Sequence, residues 1–352
     1  MKRRIWKLFI VVIVLSAFLV TGLTGFAGAE VSTKTFKFRL QHWQSQANAS
    51  YQLFISDKGF PKMVEKASGG RIKIEVYPGG SIISPLDNMR STGKGVVDMA
   101  AGCGAYQAGL GSYFSLLYGI PFVLDNMDDL EIVWQNMGLY DYAKTLYAKY
   151  NTHLLGWNAD APIGLFSKKE IKSLNDLKGM KIRAVGAYGD FYKMFGASPM
   201  TTPTAEIYMA LDRGLVDGVT WGSEAAMKEL GLHEVSKYIL VPWIAGATAN
   251  DMMINMDKWK ALPPDLQEIM TTCYQKYSAT LGAFYKYRNY VDRAEIVSKY
   301  GMKLCWMSEE DIAKGKEMAL KLMDNYAKMN PESAKIVKIY KDFMAYKAKI
   351  KQ

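Results

Sequence analysis

The sequence predicts an α/β protein of two lobes set around a cleft. Three observations predict it. Strand-length apolar or alternating runs take turns with helical runs along most of the chain, the order that builds parallel sheets with helices on both faces. One local setting, helix then glycine then small turn then strand, occurs at Val97-Asp98-Met99 and again at Val216-Asp217-Gly218, so two halves share a design. From Pro263-Pro264 a helical region runs with few breakers to Gly301, and no low-complexity linker divides the chain. The lobes are therefore expected to be joined by strands that cross between them, with the cleft between the sheets.

The first segment reads as an address, not as part of the fold. Lys2, Arg3, Arg4 and Lys7 precede an apolar run from Leu8 to Val20, and Ala27-Gly28-Ala29 follows. A positive start, a short apolar middle and an A-x-A end make a secretory signal peptide, residues 1–29, with cleavage before Glu30. The run is shorter than the roughly 20 apolar residues of a membrane span.

Phe36-Lys-Phe-Arg-Leu40 alternates as a strand. A helix is expected over 54–67, stopped by Gly69-Gly70, then an alternating strand at Arg71–Tyr77 and a turn at Pro78-Gly79-Gly80. Ser84 and Pro85 suit the N-cap and first turn of a helix that Gly95 ends, before a buried strand at Val96–Ala101. The second half repeats the pattern. It has strands at Leu154–Trp157, Lys181–Ala184 and Val216–Thr220, a capped turn at Ser173–Gly179 and a helix over 204–213. Ala249–Asn255 reads as a strand that crosses back, and two last helices fit 308–328 and 331–350. The expected organisation is a first lobe of 36–160 with 247–285, a second lobe of 161–246, and C-terminal helices, 286–352, packed across both.

Charge and chemistry narrow the function. The formal net charge is +10; the four basic residues of the signal carry part of it, leaving +6. That suits an anionic ligand and does not call for nucleic acid. The lysines from Lys335 to Lys351 space out as a solvated helix face. Cys103, Cys273 and Cys305 form no framework. If one pair closes, Cys273–Cys305 is the better candidate, because Cys103 falls at a buried strand end. His42, His153 and His233 are the only histidines, and His233-Glu234 lacks the second histidine of a zinc helix. Gly102-Cys103-Gly104 starts like a dinucleotide loop, but Ala105-Tyr106-Gln107 breaks the spacing. Neither a phosphate-binding loop nor a nucleophile elbow occurs. No cofactor is expected.

Five blocks, in order, resemble the solute receptors of tripartite ATP-independent periplasmic (TRAP) transporters, of the dicarboxylate-receptor type. They are Gly69-Gly-Arg-Ile-Lys-Ile-Glu-Val-Tyr-Pro-Gly-Gly80, Gly93-Lys-Gly-Val-Val-Asp-Met99, Leu174-Asn-Asp-Leu-Lys-Gly-Met-Lys-Ile-Arg-Ala184, the run Pro203–Gly218, and Ile254-Asn255 with Trp259 and Leu262-Pro263. The resemblance covers about residues 36–270. It implies a periplasmic-binding-protein clamshell with a long helix spanning both lobes. It also implies a receptor that catalyses nothing, a small organic acid as ligand, and two membrane subunits, one small and one large, as partners.

In the resemblance Arg183 matches the arginine that pairs with the ligand's carboxylate, and a guanidinium fork fits a carboxylate as no lysine can. Thr220-Trp221 stands where the subgroup for 2-oxo and 2-hydroxy acids resembles Glu-Trp. There the glutamate, a glutamine and a further acid help to hold a metal ion. Here Thr220, Pro162 and roughly Gly246 occupy those positions, so no metal is expected. From the first lobe Gln41, His42, Trp43 and Ser45 follow one strand, and Tyr106 and Gln107 follow another. The end of the strand through Trp157, at residues 159–160 (Ala159-Asp160), is expected to add an acid. Trp43, Tyr106, Trp157 and Trp221 suggest an apolar ligand body behind the carboxylate. The alternatives are a secreted enzyme using Cys103 or a carboxylate pair, and a chemosensory binding protein for a small anion.

Overall fold

Two mixed sheets, each with its own helices, organise the chain from Phe36 onward in a computed structural model that describes residues 34–160 and 162–350. The signal segment and its cleavage point lie outside the described residues. In chain order the strands are β1 (Phe36–Gln41), β2 (Ile72–Tyr77), β3 (Met99–Cys103), β4 (Thr152–Asp160) and β5 (Ile163–Ser167). They continue as β6 (Lys181–Arg183), β7 (Ser198–Met200), β8 (Gly218–Trp221), β9 (Tyr238–Ala245), β10 (Thr248–Asn255) and β11 (Lys303–Trp306). The first sheet has the order β2-β1-β3-β10-β4, the second β11-β9-β5-β8-β6-β7.

Local chemistry sets these elements. In β1, Phe38 and Leu40 are buried while Lys37 and Arg39 face out, the period of two of a half-buried strand. β3 and β10, in the interior of the first sheet, are buried along their whole length. Ser173 and Asp176 form a capping box on the turn Leu174–Leu177. The helix expected over 54–67 is two helices, Ala49–Ile55 and Phe60–Ala67. They break at Gly59, where a Cβ would lie 1.8 Å from the Phe54 carbonyl oxygen. Ser84 caps a single 3₁₀ turn, Pro85–Asp87, which leads into a short helix, Asn88–Gly93.

The sheets are not purely parallel. β10 runs antiparallel to β3 and β4, and β5 antiparallel to β8 and β9. The cause is the connection between lobes. β4 leaves the first sheet and continues as β5 in the second, and β9 returns from the second as β10 in the first. A strand that comes back from the other lobe enters against the βα direction. The C-terminal region also differs from the all-helical expectation, since β11 adds a parallel edge strand beside β9. The last two helices fall at Glu309–Ala327 and Pro331–Ile350.

The helix Pro264–Ser298 has 35 residues, about 52 Å at 1.5 Å per residue. Its first half buries Leu266, Met270, Tyr274, Tyr277 and Leu281 against β4 and the helix Phe60–Ala67. Its second half packs on the helix Glu224–Glu229 of the second lobe. One helix thus braces both sheets. Cys273 lies on it and Cys305 on β11. Both thiols are free and buried, as is that of Cys103, so the pairing of Cys273 with Cys305 is not formed.

The return crossing is tight. Gly246 donates its N–H to the Leu124 carbonyl at 2.8 Å, and Phe122 donates to the Ile244 carbonyl at 2.7 Å. A Cβ on Gly246 would sit 1.9 Å from the Asp125 carbonyl oxygen, so backbone would have to move. Gly246→Ala is therefore expected to cost about 1–3 kcal/mol, the usual price of overpacking, and to lower the melting temperature by several degrees. A calorimetric melt within about 1 °C of the parent would contradict this reading of the crossing.

Candidate functional site

The carboxyl ends of β1, β3, β6 and β8 meet where the two sheets face each other, the usual place for a site in open α/β sheets. Arg183 ends β6, which lies parallel to β8 with Arg183 opposite Val219. Its side chain is 1% exposed. Nη1 donates to the Thr220 carbonyl at 3.1 Å. Nη2 donates to the Thr202 carbonyl at 2.9 Å and to the Tyr106 hydroxyl at 3.1 Å. Nε has no partner. All three acceptors are neutral oxygens, and among the described residues no acid pairs with this guanidinium. Its charge is met by two carbonyl dipoles, the Tyr106 hydroxyl and the Trp221 ring, whose centre lies 4.9 Å away.

Tyr106 comes from the other lobe, on the 3₁₀ turn Gly104–Gln107 that follows β3. Burial raises its phenol above the ordinary range, partly offset by Arg183. Trp43, in the loop after β1, faces the Trp221 ring at 5.5 Å and the Tyr106 ring at 6.4 Å. Four of the residues singled out from the sequence, Trp43, Tyr106, Arg183 and Trp221, therefore form one contact across the two lobes. Thr220 joins them through its carbonyl; its hydroxyl donates to Tyr192 at 2.8 Å.

The other candidates are engaged elsewhere. Gln41 spends its amide on the turn after β2: Nε2 donates to the carbonyls of His42 (3.0 Å) and Pro78 (2.5 Å), and Oε1 accepts from Ile82 at 3.1 Å. Gln107 donates to the Pro85 carbonyl at 3.5 Å. Position 159 is an alanine and offers no carboxylate; the acid of that strand end is Asp160, whose side chain lies outside the described residues. Trp157 belongs to a separate aromatic group, stacked on Trp134 at 5.2 Å and tilted against Tyr140 at 4.8 Å. His42 accepts the Gln44 N–H on Nδ1 at 3.1 Å, and burial lowers it to about 3, so it is neutral.

Three contributors escaped sequence reasoning. Thr202 acts through its carbonyl, which no side-chain pattern marks, although Pro203 beside it opens one of the recognised blocks. Tyr192 sits on the helix Gly186–Met194 and looks like a core aromatic. Asn48 accepts the Ser45 N–H at 3.1 Å and the Ser45 hydroxyl at 2.9 Å, which fixes the loop that carries Trp43.

The arrangement suits binding rather than bond-making. Burial, and then the charge of Asp251, push the Cys103 thiol far up, so it is no nucleophile at neutral pH. Two sheets facing one another across a buried, unpaired guanidinium define a two-lobed solute receptor. The chain belongs to bacterial extracellular solute-binding protein family 7, the DctP family, whose profile matches residues 44–329. It is 27% identical over 300 residues to a monocarboxylate 2-oxoacid-binding periplasmic protein of Nostoc, covering 84% of this chain and 81% of that protein. A TRAP periplasmic solute-binding protein of Pseudoalteromonas atlantica, solved with sodium and pyruvate, is 25% identical. It superposes with a TM-score of 0.81 over 88% of this chain and 94% of that one. Another, from Bordetella bronchiseptica with calcium and picolinate, is 25% identical, with a TM-score of 0.82 over 90% and 93%. Family and neighbours are solute-binding receptors, not enzymes. No helix among the described residues is long and apolar enough to cross a membrane.

Proposed function

We propose that this receptor works in the periplasm after loss of residues 1–29, captures a small organic carboxylate, and hands it to the small and large membrane subunits of a TRAP transporter. The observation that carries the ligand class is Arg183. A buried charge without a counter-charge is costly, and here the free Nε still points to an unfilled role. A ligand carboxylate supplies both the charge and the acceptor. The enclosing rings of Trp43, Tyr106 and Trp221 favour a ligand only a few carbons long. A relative named for 2-oxoacids, and neighbours holding pyruvate or picolinate, point the same way.

The cations seen with those ligands do not suit this chain. A hard cation wants several oxygen ligands, carboxylates above all. Here Thr220 brings a neutral hydroxyl, its proton donated to Tyr192, and no carboxylate. Pro162 and Gly246, which line one hollow beside the hinge, bring no side-chain oxygen. We take the ligand to be held by the guanidinium and the rings alone. Dialysis against a chelator into sodium-free buffer should leave pyruvate affinity unchanged in calorimetric titration, and lost binding restored by calcium or sodium would overturn this.

Arg183→Ala should weaken binding by roughly 30-fold to several-thousand-fold. Truncating one partner of a buried charge pair costs about 2–5 kcal/mol, at about 1.4 kcal/mol per tenfold. Arg183→Lys should also lose substantially, because the ammonium lacks the fork. Titration with pyruvate beside a melting curve separates a ligand contact from a structural arginine. Near-normal affinity with a lowered melting temperature would remove the carboxylate reading.

A further inference from the structure

A second contact crosses the cleft away from Arg183. Glu229 ends the helix Glu224–Glu229, which follows β8 in the second lobe, and its side chain is 7% exposed. One carboxyl oxygen, Oε2, accepts the N–H of Ala49 in the first lobe at 3.3 Å, and the Asn48 side chain hydrogen-bonds the same carboxyl. Asn48 in turn holds Ser45, two residues after Trp43. The chain of contacts therefore runs from Glu229 through Asn48 to the loop whose tryptophan meets Trp221.

The other oxygen, Oε1, is buried without a hydrogen-bond partner. Its nearest cation is Arg288 on the long helix, at 3.9 Å, and Arg288 is already bonded through Nε to Asp292 at 2.7 Å. Lys228, the neighbour on its own helix, turns to Asp292 at 3.0 Å and to Glu295. Among the described residues of the first lobe, Asn48 and the Ala49 N–H meet it. As an anion Glu229 is thus poorly compensated; as a neutral acid it loses little on burial.

We infer that Glu229 is a positioning residue of lobe closure: it latches the loop carrying Trp43 to the second lobe, and it holds most firmly when its carboxyl is protonated. The inference rests on the reading that the lobes part to admit a ligand. Parting breaks the Ala49 and Asn48 contacts and wets the carboxyl. Apparent ligand affinity scales with the fraction of receptor able to close, so the latch tunes affinity without touching the ligand.

The sign of the pH effect follows. In the closed form burial raises Glu229 from 4.5 to about 7; Arg288, the Ala49 N–H and Asn48 oppose this, and Asp292 adds to it. Opening returns the group toward its ordinary range. Closure therefore takes up a proton. Its contribution is complete at acid pH and is lost as pH rises to about 7. Asp251, raised by burial to about 6, is held by Tyr147 inside the first lobe, so parting the lobes leaves its surroundings in place.

Calorimetric and stopped-flow binding of pyruvate at about pH 5.5 and about pH 8 tests this. The parent should bind several-fold more tightly at the lower pH. Glu229→Gln should flatten the dependence and bind at the higher pH as the parent does at the lower. Glu229→Ala should bind about tenfold more weakly than the parent at the lower pH, through faster dissociation. A parent-like pH profile in Glu229→Gln, or a lowered melting temperature with unchanged affinity in Glu229→Ala, would overturn the inference. The distance between spin labels on the two lobes, measured without ligand, separates the two readings. If pyruvate does not bind, the ligand assignment fails alone. The latch then stands if acid closes the parent but not Glu229→Gln, and falls if both respond alike.

Discussion

Arg183 constrains both lobes at once. A guanidinium so nearly sealed from water must be answered by oxygen atoms, and each lobe provides some: Thr202 and Thr220 from the second, Tyr106 from the first. The Trp221 ring covers it, and Trp43, from the first lobe, meets that ring at 5.5 Å. The carbonyls come from loops and strands that cannot be exchanged residue by residue, so this part of the site is set by backbone placement. What the protein leaves unmade is the ion pair. That omission makes the same residue costly to bury and apt for an anion that arrives from outside.

The rest of the fold presents this arginine to its partners and joins the two lobes around it. β4 to β5 and β9 to β10 carry the chain across, with Gly246 packed against Asp125 where no side chain fits. The long helix is fixed to the first sheet by its apolar half. It is tied to the second lobe by charged contacts, Arg293 with Glu224 and Lys228 with Asp292. In both pairs a partly exposed cation meets a carboxylate almost sealed from water, Glu224 at 0% and Asp292 at 3% side-chain exposure, so breaking either would leave a buried charge unpaired. The helix is thus fastened to both lobes, and the two strand crossings are the few residues left to serve as a hinge.

Much of this was legible in the residues. The βα alternation, the doubled local setting and the run after Pro264, with few breakers, gave two lobes and the long helix. The order of blocks put Arg183 and Trp221 together, and strand-end reasoning reached Trp43 and Tyr106. The same reasoning named Gln41 and Gln107, whose amides turn back to the carbonyls of Pro78 and Pro85. Position after a strand locates a side chain but does not aim it. The antiparallel crossings and β11 depend on which strand lies alongside, a long-range matter that period and propensity do not carry. No sequence pattern marks Glu229; the groups that meet its carboxyl, Asn48 and Arg288, lie far away in sequence.

The most direct test is a crystal structure of the periplasmic protein with whatever ligand copurifies. The account predicts an organic acid between Trp43 and Trp221, with a carboxylate oxygen within hydrogen-bond distance of Arg183 and no metal ion bridging them. A ligand bound elsewhere, with Arg183 still satisfied only by Thr202, Thr220 and Tyr106, would contradict it.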